Sequence, residues 1–222
     1  MNRLVTFGDS FIAQNKYYKE LESQSWLDII CKENDFELDG YGCSETGILN
    51  TIMNFKRYDK DFDVCIFAWT DPSRDYLPTR TLQAIRSGDY QSITDKEKKI
   101  GEKYYKYFSD DSIRWLLGEA VLGNFDIELQ ELYPDKKFIH LYCFEISDKF
   151  YPHIFKHGIN IKPELIKFSK LLDFKTDKDD RPLHMAEEVH ISFAKQVNKV
   201  LEEWDKSFTK NFVNIVEFDL GY

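Results

Sequence analysis

Short continuous apolar runs alternate along this chain with longer stretches in which apolar residues recur every three or four positions. The first run, "RLVTF" (Arg3 to Phe7), stops at Gly8 and predicts a strand. The segment "KELESQSWLDIICKEN" predicts a helix with Trp26, Ile29 and Ile30 facing inward. "FELDGYG" predicts a short second strand that breaks at Gly40 and Gly42, and "SETGILNTIMNFK" a further helix with Ser44 or Thr46 near its start. From Asp63 to Trp69, "DVCIFAW" is rich in β-branched and aromatic residues, the pattern of a buried strand. A long helix is predicted over Asp111 to Leu132, carrying Ile113, Leu116, Leu117, Val121 and Phe125, and a fourth strand over Lys137 to Phe144. From about Met185 to Trp204, the residues Val189, Phe193, Val197, Val200, Leu201 and Trp204 fall at helical intervals. "NFVNIVEF" follows as a short strand or a docked tail.

Strands alternating with helices predict an α/β layered fold with a mostly parallel sheet. The 222 residues suit a single domain, with a polar, proline-broken excursion at about 72–110 and a C-terminal extension at about 206–222. Hydrophobic residues make up 42% and aromatics 16%, enough to bury a substantial core. The net charge of -9 argues against a nucleic-acid partner, which would call for a basic face. Clusters such as "TDKEKK" and "KTDKDD" read as solvated loops or helix ends. No apolar stretch approaches the roughly 18 residues needed to span a membrane, and "MNRLVTFGDS" is too short an apolar run for a secretory signal. The four cysteines (Cys31, Cys43, Cys65, Cys143) show no pairing pattern, so reduced thiols and a cytoplasmic location are expected.

In parallel α/β sheets, sites form beyond the carboxyl ends of the strands. Those ends are Gly8-Asp9-Ser10, Gly40-Tyr41-Gly42, Trp69-Thr70-Asp71 and Cys143-Phe144-Glu145. An early strand ending in Gly-Asp-Ser, a glycine turn after strand two and a late histidine before a final helix resemble the SGNH (GDSL-type) hydrolase family. The resemblance extends from Gly8 to about Ala194. It implies a flavodoxin-like, three-layer α/β/α fold and a serine esterase, lipase or carbohydrate deacetylase activity. Residue by residue, it implies Ser10 as nucleophile and Gly42 as the glycine whose N–H helps to hold an oxyanion. The third family block, usually Gly-x-Asn-Asp, reads Ala68-Trp69-Thr70-Asp71, which puts Thr70 at the asparagine position. The fourth, usually Asp-x-x-His, reads "DDRPLH": His184 takes the histidine position and Arg181 the acid's, with Asp180 one residue further back. Either a bulge at Pro182 restores Asp180 as the orienting acid, or Ser10 and His184 act as a dyad oriented by a backbone carbonyl.

The chemistry implied is acyl transfer. A serine hydroxyl needs an adjacent base, for which His184 at its ordinary pKa is suited, and an acid such as Asp180 would fix its tautomer. The N–H groups of Ser10 and Gly42 and the Thr70 hydroxyl would form the oxyanion hole, and a helix dipole behind Ser10 would favour the developing charge. No metal or organic cofactor is needed, and a small-molecule or carbohydrate ester is the expected partner. The changes at 68, 70 and 181 motivate a different reading: a weak or inactive relative serving as a binding or structural module, such as a phage particle component. A nucleotide-binding flavodoxin-like protein is a third reading, disfavoured by a carboxylate within Gly8-Asp9-Ser10.

Other residues carry weaker alternatives. Ser10 has the simpler reading of a helix cap. Ser44 is a rival nucleophile, but "GCSET" lacks the second glycine of a Gly-x-Ser-x-Gly elbow. His153 and His157 have helical i, i+4 spacing and read as a surface pair, while His190 reads as a packing or capping residue. Asp9 is expected to organise its turn, and Asp71, Arg74 and Asp75 either line a cleft or form a salt-bridged loop.

Overall fold

The computed structural model describes residues 2–12, 25–42, 47–70, 94–107, 110–144, 153–165, 167, 187–210 and 212–219. Its six strands are β1 (Asn2–Gly8), β2 (Phe36–Gly42), β3 (Val64–Trp69), β4 (Lys137–Tyr142), β5 (Ile159–Lys162) and β6 (Ile215–Glu217). They form one sheet in the order β2-β1-β3-β4-β5-β6, and every neighbouring pair is parallel. Among the described residues the helices are α1 (Trp26–Asn34), α2 (Ile48–Lys56), α3 (Asp95–Tyr107), α4 (Asp111–Leu132), α5 (Glu187–Glu202) and α6 (Trp204–Ser207), with a 3-10 turn at Ser10–Ile12. This is the flavodoxin-like doubly wound order, whose switch point falls between β1 and β3.

Alternation along the strands divides the core into two layers, because successive side chains point to opposite faces. Leu4, Ile66, Ala68, Ile139 and Leu141 pack with Trp26, Leu27 and Ile30 of α1 and Phe193, Val197 and Val200 of α5. Val5, Phe7, Cys65, Phe67, Trp69 and Phe138 pack on the other side with Ile52 and Phe55 of α2 and Leu122, Phe125 and Leu129 of α4. Burial of β1 and β3 on both faces explains why their sequences read as continuous apolar runs.

The helix of residues 111–132 has the bounds the periodicity predicts, and its first turn is capped by the Asp110 carboxylate, which accepts from the N–H groups of Ser112 and Ile113. Of the apolar residues the sequence places on it, Phe125 is buried and Val121 partly buried, while Ile113, Leu116 and Leu117 are exposed; Trp115, Leu122 and Leu129 are the other buried ones. The first long helix begins at Trp26, where Ser25 and Asp28 form a capping box. Within the expected excursion, "TDKEKK" opens α3, with Thr94 and Glu97 exchanging capping hydrogen bonds. The final helical stretch runs to Glu202 and resumes as α6, with Phe193, Val197, Val200, Leu201 and Trp204 buried as the spacing predicts. β5 has no counterpart among the expected strands; β6 is the strand form of the C-terminal segment and forms the edge beside β5.

Candidate functional site

The register of the sheet builds one corner from three separate stretches of sequence. Gly8 pairs with Gly42 on one side and with Ala68 on the other. Ser10 lies two residues beyond Gly8, and Thr70 two residues beyond Ala68. The corner is therefore the carboxyl edge at the β1/β3 switch point, where doubly wound folds place their ligands.

Gly8 is required there. Its φ is +143°, and a Cβ would lie 2.1 Å from the Ala68 carbonyl oxygen, so no other residue fits without moving β3. The Asp9 N–H continues the ladder by donating to that same carbonyl at 3.1 Å, and the Asp9 carbonyl accepts from Ile12 N–H at 3.2 Å. Asp9 is buried, and its backbone fixes the turn, as expected. Ser10 begins the 3-10 turn. The helix expected behind Ser10 would occupy residues 13–24, which lie outside the described residues; the helix that starts at Trp26 is capped by Ser25.

Thr70 is 1% exposed, and its hydroxyl oxygen has no hydrogen-bond partner. A buried hydroxyl without a partner costs about 1–3 kcal/mol; Thr6, inside β1, shares the condition, and Thr70 differs from it in lying at a strand end. Of the expected site residues, the structure thus brings Ser10, Gly42 and Thr70 to one edge. His184 and Asp180 lie outside the described residues, as do Arg181, Ser44, Asp71, Arg74 and Asp75.

A second polar cluster, not expected from the sequence, is buried between β4 and α4. His140 is stacked on Phe155 with ring centroids 3.7 Å apart, and is sandwiched from the other side by Phe67 at 5.6 Å. Its Nδ1 accepts from the Trp69 indole N–H at 3.1 Å, which assigns the proton to Nε2, and Nε2–H donates to the His157 carbonyl at 3.0 Å. Burial drives the His140 pKa down to about 3, holding the ring neutral. His153 and His157 are neither helical nor a surface pair. They belong to a loop that rests on α4, where Asp126 accepts from the N–H groups of Lys156 and His157 at 2.8 and 3.0 Å. Glu119 accepts from His153 N–H at 3.0 Å, and the His153 ring lies between the two carboxylates. Burial works to raise the Asp126 carboxyl, and the hydrogen bonds it receives outweigh that and leave it below the ordinary range. Spacing gave no warning of this cluster because its partners are backbone atoms. His190 caps, as expected: its Nδ1 accepts from Trp26 N–H at 3.3 Å.

Among the described residues no group of three or more His, Cys, Asp or Glu side chains is placed to hold a metal ion, and no helix is long and apolar enough to cross a membrane. Cys65 and Cys143 are buried free thiols, and burial raises the Cys65 pKa further. Fold and site define a flavodoxin-like α/β protein with a glycine-shaped corner at its switch point. Neither the protein-family models nor the curated proteins contain a match to the chain.

Proposed function

We propose that this protein is a serine hydrolase acting on a carboxylic ester, with an O-acetyl group on a carbohydrate as the substrate class. The observation that carries the reading is the unpartnered, buried Thr70 hydroxyl at the strand edge that also bears Gly8-Asp9-Ser10 and Gly42. In the reaction, the Ser10 hydroxyl oxygen attacks the ester carbonyl carbon while its proton passes to His184. The resulting oxyanion receives hydrogen bonds from the N–H groups of Ser10 and Gly42 and from the Thr70 hydroxyl. Collapse of the intermediate expels the alcohol, which takes the proton from His184. Water then attacks the acyl-serine with His184 again as base, releasing the acid and restoring Ser10. Asp180 orients His184. No metal or organic cofactor enters the scheme, and the buried free thiols suit a reducing compartment such as the cytoplasm.

The test is labelling by a fluorophosphonate probe together with hydrolysis of a p-nitrophenyl acetate reporter. Wild type is expected to label and to turn over, and Ser10→Ala to do neither while melting at an unchanged temperature. Folded wild type that does not label overturns the enzyme reading. The shorter reach of Thr70, compared with an asparagine, favours a second reading in which the same corner binds but does not cleave. That reading expects ester binding without labelling.

A further inference from the structure

The outward face of α4 carries a stripe of exposed apolar residues. Ile113, Leu116, Leu117 and Ile127 are 57%, 71%, 60% and 56% exposed, with Ala120 exposed between them. At 100° per residue these five positions fall within roughly 100° of one another, opposite the face that Trp115, Leu122 and Leu129 bury. A helix apolar on both faces is normally covered on both. The stripe runs about 21 Å along the helix and bears no charge between Ile113 and Ile127. We infer that it is the seam of a two-fold dimer in which α4 packs antiparallel against α4 of a second copy, crossing at Ala120.

Three observations select a second copy as the occupant. The stripe is self-complementary about Ala120: an antiparallel crossing there sets Ile113 against Ile127, and Ala120 against itself, where a small side chain lets the backbones approach. The same register sets Leu116 and Leu117 of one copy against Asn124 and Gly123 of the other, bulk against space. Asn124 leaves that space by turning its amide back onto its own helix, where Nδ2 donates to the Ala120 carbonyl at 2.9 Å. Gly123 also has no role within the single chain that demands a glycine. A Cβ there would meet only His153 Cε1, at an ordinary 3.8 Å. Glycine in a helix interior costs about 0.5–1 kcal/mol relative to alanine. Opposite Leu117 of a second copy, its small size has a use. Finally, the stripe is long enough to seat a facing helix: four large apolar side chains, each more than half exposed, line it over about 21 Å.

Sedimentation equilibrium tests the inference, using the full chain at physiological salt over roughly 1–100 µM. Wild type is expected to dimerise, and Leu116→Glu or Leu117→Glu to weaken the dimer about 100-fold or more, because a carboxylate would be buried in an apolar seam. Both positions are exposed in the single chain, so at concentrations where wild type is monomeric the variants are expected to melt as it does. Ala120→Cys is expected to form an intermolecular disulfide across the two-fold axis under mild oxidation, while Lys195→Cys, on the outer face of α5, does not exceed the wild-type background. A monomer at 100 µM overturns the inference. So does a dimer that neither glutamate variant weakens, or a monomer whose melting temperature either glutamate lowers, since the stripe would then be covered from within the chain.

Discussion

Trp69 and Thr70 are neighbours in the chain, yet the polar groups they bring into the interior are treated in opposite ways. The Trp69 indole donates to His140, a ring with both nitrogens partnered and aromatic faces on either side. One residue later, the Thr70 hydroxyl is just as deeply buried and has no partner. His140 belongs to the middle of the sheet, and the fold meets both of its hydrogen bonds, although it leaves the Thr6 hydroxyl of β1 unmet. Thr70 belongs to the edge where strands end at a topological switch point, and there the fold leaves a donor free. A buried polar residue is thus informative less by its burial than by whether its bonds are made.

The largest test of that contrast is acid. The His140 pKa is about 3 in the folded protein against an ordinary 6.5, so below pH 6.5 the unfolded chain takes up a proton that the folded one refuses. Stability is therefore expected to be full above pH 6.5 and to fall as the pH drops toward 3, by on the order of 4 kcal/mol from this group. His157, also shifted down by burial, adds to the same slope. Asp126, whose folded pKa is depressed, holds its contribution above its unfolded value and loses it as the pH falls through the folded one. Urea midpoints at pH 7.5, 6 and 4.5 measure the slope, and His140→Phe is expected to flatten it. An unchanged slope would mean that His140 is not the group responsible.

The next largest effect concerns the corner itself. Gly8→Ala places a Cβ against the Ala68 carbonyl at a φ that alanine rarely adopts, and a loss of about 3 kcal/mol or more in urea unfolding is expected. Under the proposed function, esterase activity falls with it, because the turn that carries Ser10 is displaced.

The smallest change in stability is the most diagnostic. Thr70→Val removes the unpartnered hydroxyl at nearly constant volume and is expected to leave stability unchanged or raise it by up to about 1 kcal/mol. Under the proposed function, the same substitution slows probe labelling roughly 10- to 100-fold. A clear loss of stability would instead mean that the hydroxyl is structurally satisfied, and the contrast with His140 would fail.

The strands buried on both faces were legible because a continuous apolar run of that length, bounded by glycine and polar turns, fits a core strand and little else. The long helix was legible in its bounds for a similar reason, since Asp110 caps it and its apolar residues recur for six turns. Which side faces the sheet was not, because α4 carries apolar residues on two opposite faces and periodicity alone cannot orient such a helix. β5 carries a weak signal because its four residues include Asn160, whose amide is spent on the Phe155 and Asn214 backbones. At the corner, Gly8, Ser10, Gly42 and Thr70 followed from the strand ends. The spacing of His153 and His157 misleads, because an i, i+4 interval constrains geometry only once the segment is known to be helical.

The position of β1 between β2 and β3 has a consequence for synthesis. The strands that meet at Gly8, namely β2, β1 and β3, are all encoded within the first 70 residues, whereas β6 joins the far edge only at residues 215–217. At ribosomal rates of ~5–20 residues per second, the corner bearing Ser10 leaves the ribosome roughly ten seconds before the segment containing His184. On the proposed function, the nascent chain thus carries its nucleophile before the base that would activate it has been made.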